Sequence, residues 1–112
     1  MSSEAVRLCR LDDLPQGTAL GFDPHRTGAD TIFVLRLADA VRAYANRCPH
    51  QGVALEFRKN RFLTPDGTHV MCHAHGALFE PDTGRCVQGA ALGQSLEAVP
   101  CWIEQGWIWL RA

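Results

Sequence analysis

Two short segments concentrate the side chains able to hold a metal: Cys48-Pro49-His50 and Cys72-His73-Ala74-His75, with 21 residues between His50 and Cys72. Each offers a soft thiolate and a borderline imidazole. Two thiolates and two imidazoles brought to one site fit either a tetrahedral zinc ion or a 2Fe-2S centre in which histidine replaces cysteine on one iron. Structural zinc pairs more often begin Cys-x2-Cys, which neither segment does. Asn46-Arg47 precedes the first pair and Gly76 follows the second, so each pair lies where a strand has ended. Two loops can then bring their side chains together.

The elements that must carry these loops read as strands. Periodicity of 3.6 is scarce, whereas short apolar runs bounded by Gly, Pro, Asp and Asn recur about every ten residues, the pattern of an antiparallel all-β domain. Strands are expected at Val6-Leu8, Ala19-Phe22, Thr31-Leu37, Val41-Ala45, His69-Met71, Ala77-Glu80, Leu96-Val99, Cys101-Glu104 and Trp107-Leu110. Turn chemistry supplies the hairpins: Gln105-Gly106 between the last two strands, Pro65-Asp66-Gly67 before Val70-Met71, and Asp82-Thr83-Gly84 after Phe79. Asp12-Asp13-Leu14-Pro15 reads as one helical turn.

Composition bounds the partners. With 112 residues, one domain spanning 1–112 is expected, and 46% hydrophobic with 21% charged residues is the balance of an ordinary globular fold. Eleven Lys plus Arg against twelve Asp plus Glu give a formal charge of -1, which disfavours generic nucleic-acid binding. No run of 18 uncharged apolar residues predicts a membrane span, and no basic segment followed by an apolar stretch opens the chain, so a cytoplasmic location is expected. Five cysteines (Cys9, Cys48, Cys72, Cys86, Cys101) then argue for thiols or metal ligands over a disulfide framework.

Cys48-Pro49-His50-Gln51-Gly52 resembles the first cluster loop of the Rieske iron-sulfur family, and Cys72-His73-Ala74-His75-Gly76-Ala77-Leu78-Phe79 resembles its second. Thr83-Gly84-Arg85-Cys86-Val87 with Gly89 is similar to the segment after the second loop in many members, and the resemblance spans residues 6 to 111. It implies an antiparallel β sandwich with a small inserted cluster-binding subdomain at about 46–90. It also implies one 2Fe-2S cluster, with Cys48 and Cys72 on one iron and His50 and His75 on the other. The electron would then settle on the histidine side, because neutral imidazoles leave their iron more electropositive than a dithiolate does. His73, between two of these residues, is expected to point away from the metal.

The remaining candidates have plainer readings. Cys9, Cys86 and Cys101 read as small packed hydrophobes. Trp102, Trp107 and Trp109 read as core. His25 and His69 are loop and strand residues, and Arg58-Lys59-Asn60-Arg61 is a solvated loop placed where it could touch an acidic partner.

Departures from the family narrow the branch. High-potential members join their cluster loops by a disulfide and offer Ser and Tyr hydroxyls to the cluster sulfurs. Here Val53 and Ala74, and Ala77 and Phe79, occupy the matching positions. Fewer donors to sulfur disfavour the extra negative charge of reduction, which points to a low-potential, ferredoxin-like centre at roughly -150 mV. Gly89-Ala90 stands where the family often has Gly-Pro, and the 21-residue spacer exceeds that of compact members. The resemblance implies a one-electron carrier, a ferredoxin passing electrons from a flavin reductase to an oxygenase. A small subunit beside the large subunit of a reductase such as assimilatory nitrite reductase is the alternative, and a zinc-stabilised binding module is the alternative of another class. A mononuclear iron oxygenase domain with its 2-His-1-carboxylate site does not fit in this length.

Overall fold

A computed structural model describes residues 4–38, 40–56 and 58–111; Met1 to Ser3, Asp39, Phe57 and Ala112 lie outside these. In chain order the strands are β1 (Ala5–Arg10), β2 (Ala19–Phe22), β3 (Ile32–Leu37), β4 (Ala40–Ala45), β5 (Val70–Met71), β6 (Leu78–Phe79), β7 (Cys86–Gln88), β8 (Ala98–Val99), β9 (Cys101–Glu104) and β10 (Trp107–Arg111). They form three antiparallel sheets: a terminal sheet β1-β10-β9, a central sheet β2-β3-β4-β8, and a small loop sheet β5-β6-β7. The all-β antiparallel reading of the sequence matches this architecture.

β3 shows why the sheets stack. Side chains alternate across a strand, and the run Ile32-Phe33-Val34-Leu35 is buried on both faces. Phe33 and Leu35 enter a core with Tyr44, Phe62, Val70 and Phe79, whereas Ile32 and Val34 enter another with Val41, Ala43, Ile108 and Leu110. The central sheet is thus the middle layer, packed against the terminal sheet on one side and the loop sheet on the other. Each large apolar side chain so buried contributes about 1.5–3 kcal/mol relative to exposure. On the loop-sheet side an aromatic row links the layers: Phe33 stacks on Phe62 at 4.4 Å and 11°, and lies 5.8 Å from Tyr44.

Three expectations need correction. Trp102, Trp107 and Trp109 belong to neither core. In β10 it is Ile108 and Leu110 that are buried, and the alternation turns Trp107 and Trp109 to the outer face of the terminal sheet, with Trp102 opposite Trp109. Arginines cover the rings there: Arg7 and Arg10 lie over Trp107 at 4.3 and 5.4 Å, and Arg111 over Trp102 at 5.3 Å. Ile108 and Leu110 pack into the core shared with the central sheet, and guanidinium groups stack on the indoles of Trp102 and Trp107. β7 is absent from the expected strands; it carries one buried side chain, Cys86, before exposed Val87 and Gln88, too short an alternation to register as a strand. The helical turn sits one residue earlier and is a 3-10 turn, Leu11–Asp13, closed by the Leu14 N–H donating to Leu11 O at 3.0 Å.

Candidate metal centre

The two Cys/His loops are built alike. In the first, the Cys48 N–H donates to Val53 O at 2.7 Å and the Gly52 N–H to Cys48 O at 2.7 Å. In the second, the Cys72 N–H donates to Ala77 O at 2.9 Å and the Gly76 N–H to Cys72 O at 2.7 Å. Each cysteine therefore opens and closes its own tight turn, and the glycine four residues on takes positive φ, 72° at Gly52 and 71° at Gly76. The turns bury the cysteines, Cys48 at 2% and Cys72 at 1% exposure, and leave His50 and His75 exposed.

Strand geometry aims the loops at each other. The first leaves the end of β4, the second joins β5 to β6. Asn46 braces the base of the first: its Nδ2 donates to Asp30 O at 2.9 Å and Glu56 Oε1 at 2.7 Å, while its Oδ1 accepts the Leu55 N–H at 2.9 Å. The His73 N–H donates to Leu55 O at 2.9 Å, binding loop to loop through backbone. The segment after β7 closes a third side, with Gln94 Nε2 donating to Pro49 O at 3.2 Å.

The four sequence-predicted donors meet in two pairs sorted by type, Cys48 with Cys72 and His50 with His75. The Cys48 thiol lies close enough to Cys72 to help push the Cys72 thiol up. The His50 and His75 rings meet edge to face, centroids 5.8 Å apart at 87°. Among the described residues no three Cys, His, Asp or Glu side chains gather as ligands of a single ion. A buried thiol pair beside an exposed imidazole pair suits two metal atoms with two ligands each. Burial pushes the Cys72 thiol up, while the backbone N–H groups of Ala74 and His75 donate to its sulfur and pull the other way. Such donors favour the thiolate that binds metal. One contact the sequence reading missed is Gln51, whose Oε1 lies 3.0 Å from His75 Nε2. Its only signal was position, a side-chain amide directly after a candidate ligand histidine. With Nε2 so engaged, Nδ1 is the nitrogen left for a metal.

A family model described as the Rieske [2Fe-2S] domain matches residues 4–102. The chain belongs to the Rieske family. A Rieske domain carries a 2Fe-2S cluster, and the donor set fits that group. Among solved structures, this Rieske chain is similar to the ferredoxin of carbazole 1,9a-dioxygenase from Nocardioides aromaticivorans IC177, at 24% identity and a TM-score of 0.71, over 96% of this chain and 97% of that one. It is also similar to the Sphingomonas yanoikuyae B1 ferredoxin, at 23% identity and 0.73, covering 97% and 99%. The terminal oxygenase of carbazole 1,9a-dioxygenase from Novosphingobium sp. KA1 shares the fold at 19% identity and 0.68, over 96% of this chain but 29% of that one. No curated protein matches.

The other expected residues fall outside the centre. His73 turns its Nε2 to Arg61 O at 3.1 Å, and His69 Nδ1 lies 2.9 Å from Thr68 Oγ1. His25 is exposed in a loop. Cys86 is buried in the core beside the centre, Cys9 and Cys101 flank the other core, and all five cysteines are free. Burial raises the Cys9 and Cys101 thiols, as for inert packed cysteines. No helix among the described residues is long and apolar enough to cross a membrane.

Proposed function

We propose that this Rieske protein is a one-electron carrier, a cytoplasmic ferredoxin that accepts an electron from a flavin reductase and delivers it to an oxygenase. The observation that carries the reading is the sorting of the donor set, with two thiols buried and two imidazoles exposed at the same site. In support, the ferredoxins it is similar to are matched along nearly their whole length, whereas the oxygenase is matched along less than a third. Residues about 46–90 act as the cluster-binding unit. Cys48 and Cys72 would hold one iron of the cluster, and His50 and His75 the other.

The cluster supplies a site that holds one electron. The chain supplies the rest. The two turns keep water from the thiolates, and the N–H groups of Ala74 and His75 share the negative charge on Cys72. The exposed imidazoles give a partner a short path inward, and Gln51 fixes the ring of His75 in its outward pose.

Purified protein should contain two iron and two acid-labile sulfide per chain. It should also shuttle electrons from a flavin reductase to a Rieske oxygenase in a reconstituted assay. Replacing Cys72 or His75 by Ala should abolish the visible absorption, while His73→Ala leaves it intact. A colourless product holding one zinc after anaerobic reconstitution overturns the cluster reading. A coloured His75→Ala protein, or a colourless His73→Ala protein, overturns the ligand assignment.

A further inference from the structure

Beside the second ligand loop a cleft of about 600 Å³ opens between the approach to β2 and the 58–69 spacer. The run Arg58-Lys59-Asn60-Arg61 builds one wall, and its residues divide the work. Lys59 and Asn60 are anchors: Lys59 Nζ donates to Asp30 Oδ2 at 2.6 Å, and Asn60 Oδ1 accepts the Gly21 N–H at 2.8 Å. The Arg61 N–H donates to Arg58 O at 3.0 Å and closes the turn. Arg58, Asn60 and Arg61 line the cleft together with His73, while Lys59 lies on the far side of the turn with Asp30 and Glu56, in a hollow that Arg58 also borders. Ala19, Leu63 and Met71 give it an apolar portion, and among the described residues no carboxylate lines it. Asp66, in the adjoining hairpin, directs its Oδ1 to the hydroxyls of Thr64 and Thr68.

We propose that this cleft docks an acidic, partly apolar segment of the protein's redox partner. The inference rests on the carrier reading and adds to it a side-on contact with a chemistry of its own. Charge complementarity selects the occupant: a chain of net charge -1 presents here two arginines and, among the described residues, no acid. The arginines stand on a turn already fixed by three hydrogen bonds, so little ordering remains to be done on binding. The apolar lining calls for more than a bare anion, and the cleft is open to solvent, so an extended segment can lie along it. Met71 and His73, on either side of Cys72, line the cleft, so a segment seated here rests against the second ligand loop. Rim charges of this kind steer approach and fix orientation, and their effect falls with salt.

The test uses the cluster-loaded full chain and a fluorescein-labelled peptide of four glutamates and two leucines, with anisotropy as readout. Binding should weaken about tenfold in the Arg58→Glu/Arg61→Glu double variant and by a similar factor when salt is raised to 0.5 M. Arg7→Glu/Arg111→Glu, an equal charge change on the terminal sheet, should bind as the parent does. Amide shifts should centre on Thr18, Arg61 and Gly67. Absence of binding overturns the proposal, and so does equal weakening in both double variants, which would mean net charge alone. Displacement of the peptide by acetate at matched carboxylate concentration overturns it in favour of a small anion. Iron and sulfide content measured on the same samples reports separately on the carrier reading: a chain that takes up no cluster sinks that reading, whereas a full cluster with no peptide binding sinks only this inference.

Discussion

Which nitrogen an imidazole turns to a metal is decided by what engages the other. Gln51 Oε1, 3.0 Å from His75 Nε2, makes that choice across the gap between the two ligand loops, where this chain has Val53 and Ala74 and no cysteine pair to join them. Gln51→Ala should therefore still assemble the cluster but release iron to a chelator about tenfold faster, followed as decay of the visible absorption. Gln51→Glu, which keeps the acceptor, should release it at close to the parent rate. Equal rates in all three proteins would mean the contact holds nothing. A second residue-scale prediction concerns Phe79, fully buried in the same core as Cys48 and Cys72. In Phe79→Tyr the added hydroxyl can donate to a ligand sulfur, and a hydrogen bond to a charged group of on the order of 1.5 kcal/mol, stronger in the reduced state, raises the potential by about 60 mV. If the hydroxyl meets no sulfur it is buried without a partner, and the variant loses stability with its potential unmoved; voltammetry and a thermal melt separate the two. The two Cys/His pairs stood out in the sequence because Cys and His at such spacing have few other uses. Gln51 did not, because an amide acquires its meaning only from the neighbour that folding brings to it.

At the scale of elements, strands were legible where turn residues bracket an apolar run. Ala19–Phe22 and Cys101–Glu104 coincide with their expected bounds, and Ile32–Leu37 differs by one residue. The two-sided burial of Ile32 to Leu35 could be read in the unbroken apolar run, since a half-exposed strand alternates. The sequence could not reveal which face of β10 packs inward, because Trp107 to Leu110 is apolar at every position; the fold settles it by placing Ile108 and Leu110 in the core with Val34 and Ala43. The same scale accounts for the third loop. Gly89 has φ 106°, and a Cβ there would stand 2.9 Å from the Ala77 Cα. Ala77 O receives the Cys72 N–H that closes the second Cys/His turn, so pressure on Ala77 is pressure on the proposed cluster site. Gly93 has φ 89°, and a Cβ added there would meet nothing within 4 Å, so this position isolates backbone strain. Gly93→Ala should cost about 1 kcal/mol. Gly89→Ala should cost about 2–3 kcal/mol and hasten cluster loss as well. Matching melting curves and matching iron-release rates for the two variants would show that Gly89 supplies conformational freedom only.

For the whole molecule, stability depends on the layers staying together, and on the loop-sheet side β4 reaches the β6–β7 turn through two side chains, Arg42, whose Nη2 donates to Asp82 Oδ1 at 2.8 Å, and Tyr44. Tyr44 sits on β4 of the central sheet, its ring packed 5.8 Å from Phe33, and its hydroxyl donates to Pro81 O at 2.8 Å in the turn between β6 and β7. The approach is close: a Cβ on Gly84 would stand 2.7 Å from Tyr44 Cε1. Burial, with smaller contributions from Asp82 and Glu80 opposed by Arg42, pushes the phenol up to about 12 from an ordinary 10. Above pH 10 the unfolded chain releases the phenolic proton while the folded chain keeps it, so fewer protons are bound in the unfolded state and stability falls as pH rises. The contribution is complete below pH 10 and gone above about 12, and is worth at most about 2 kcal/mol over that window. Tyr44→Phe should lose about 1 kcal/mol at pH 7 with the Pro81 hydrogen bond. Between pH 10 and 12 the gap to the parent should close and then reverse, because the variant has no proton to lose. Denaturant melts of both proteins at pH 7, 10 and 11.5 measure the crossing, with absorbance near 295 nm reporting phenolate, since Tyr44 is the only tyrosine in the chain. Parallel stability curves from neutral to pH 11.5 would show that the phenol titrates alike in both states and is no seam between the layers.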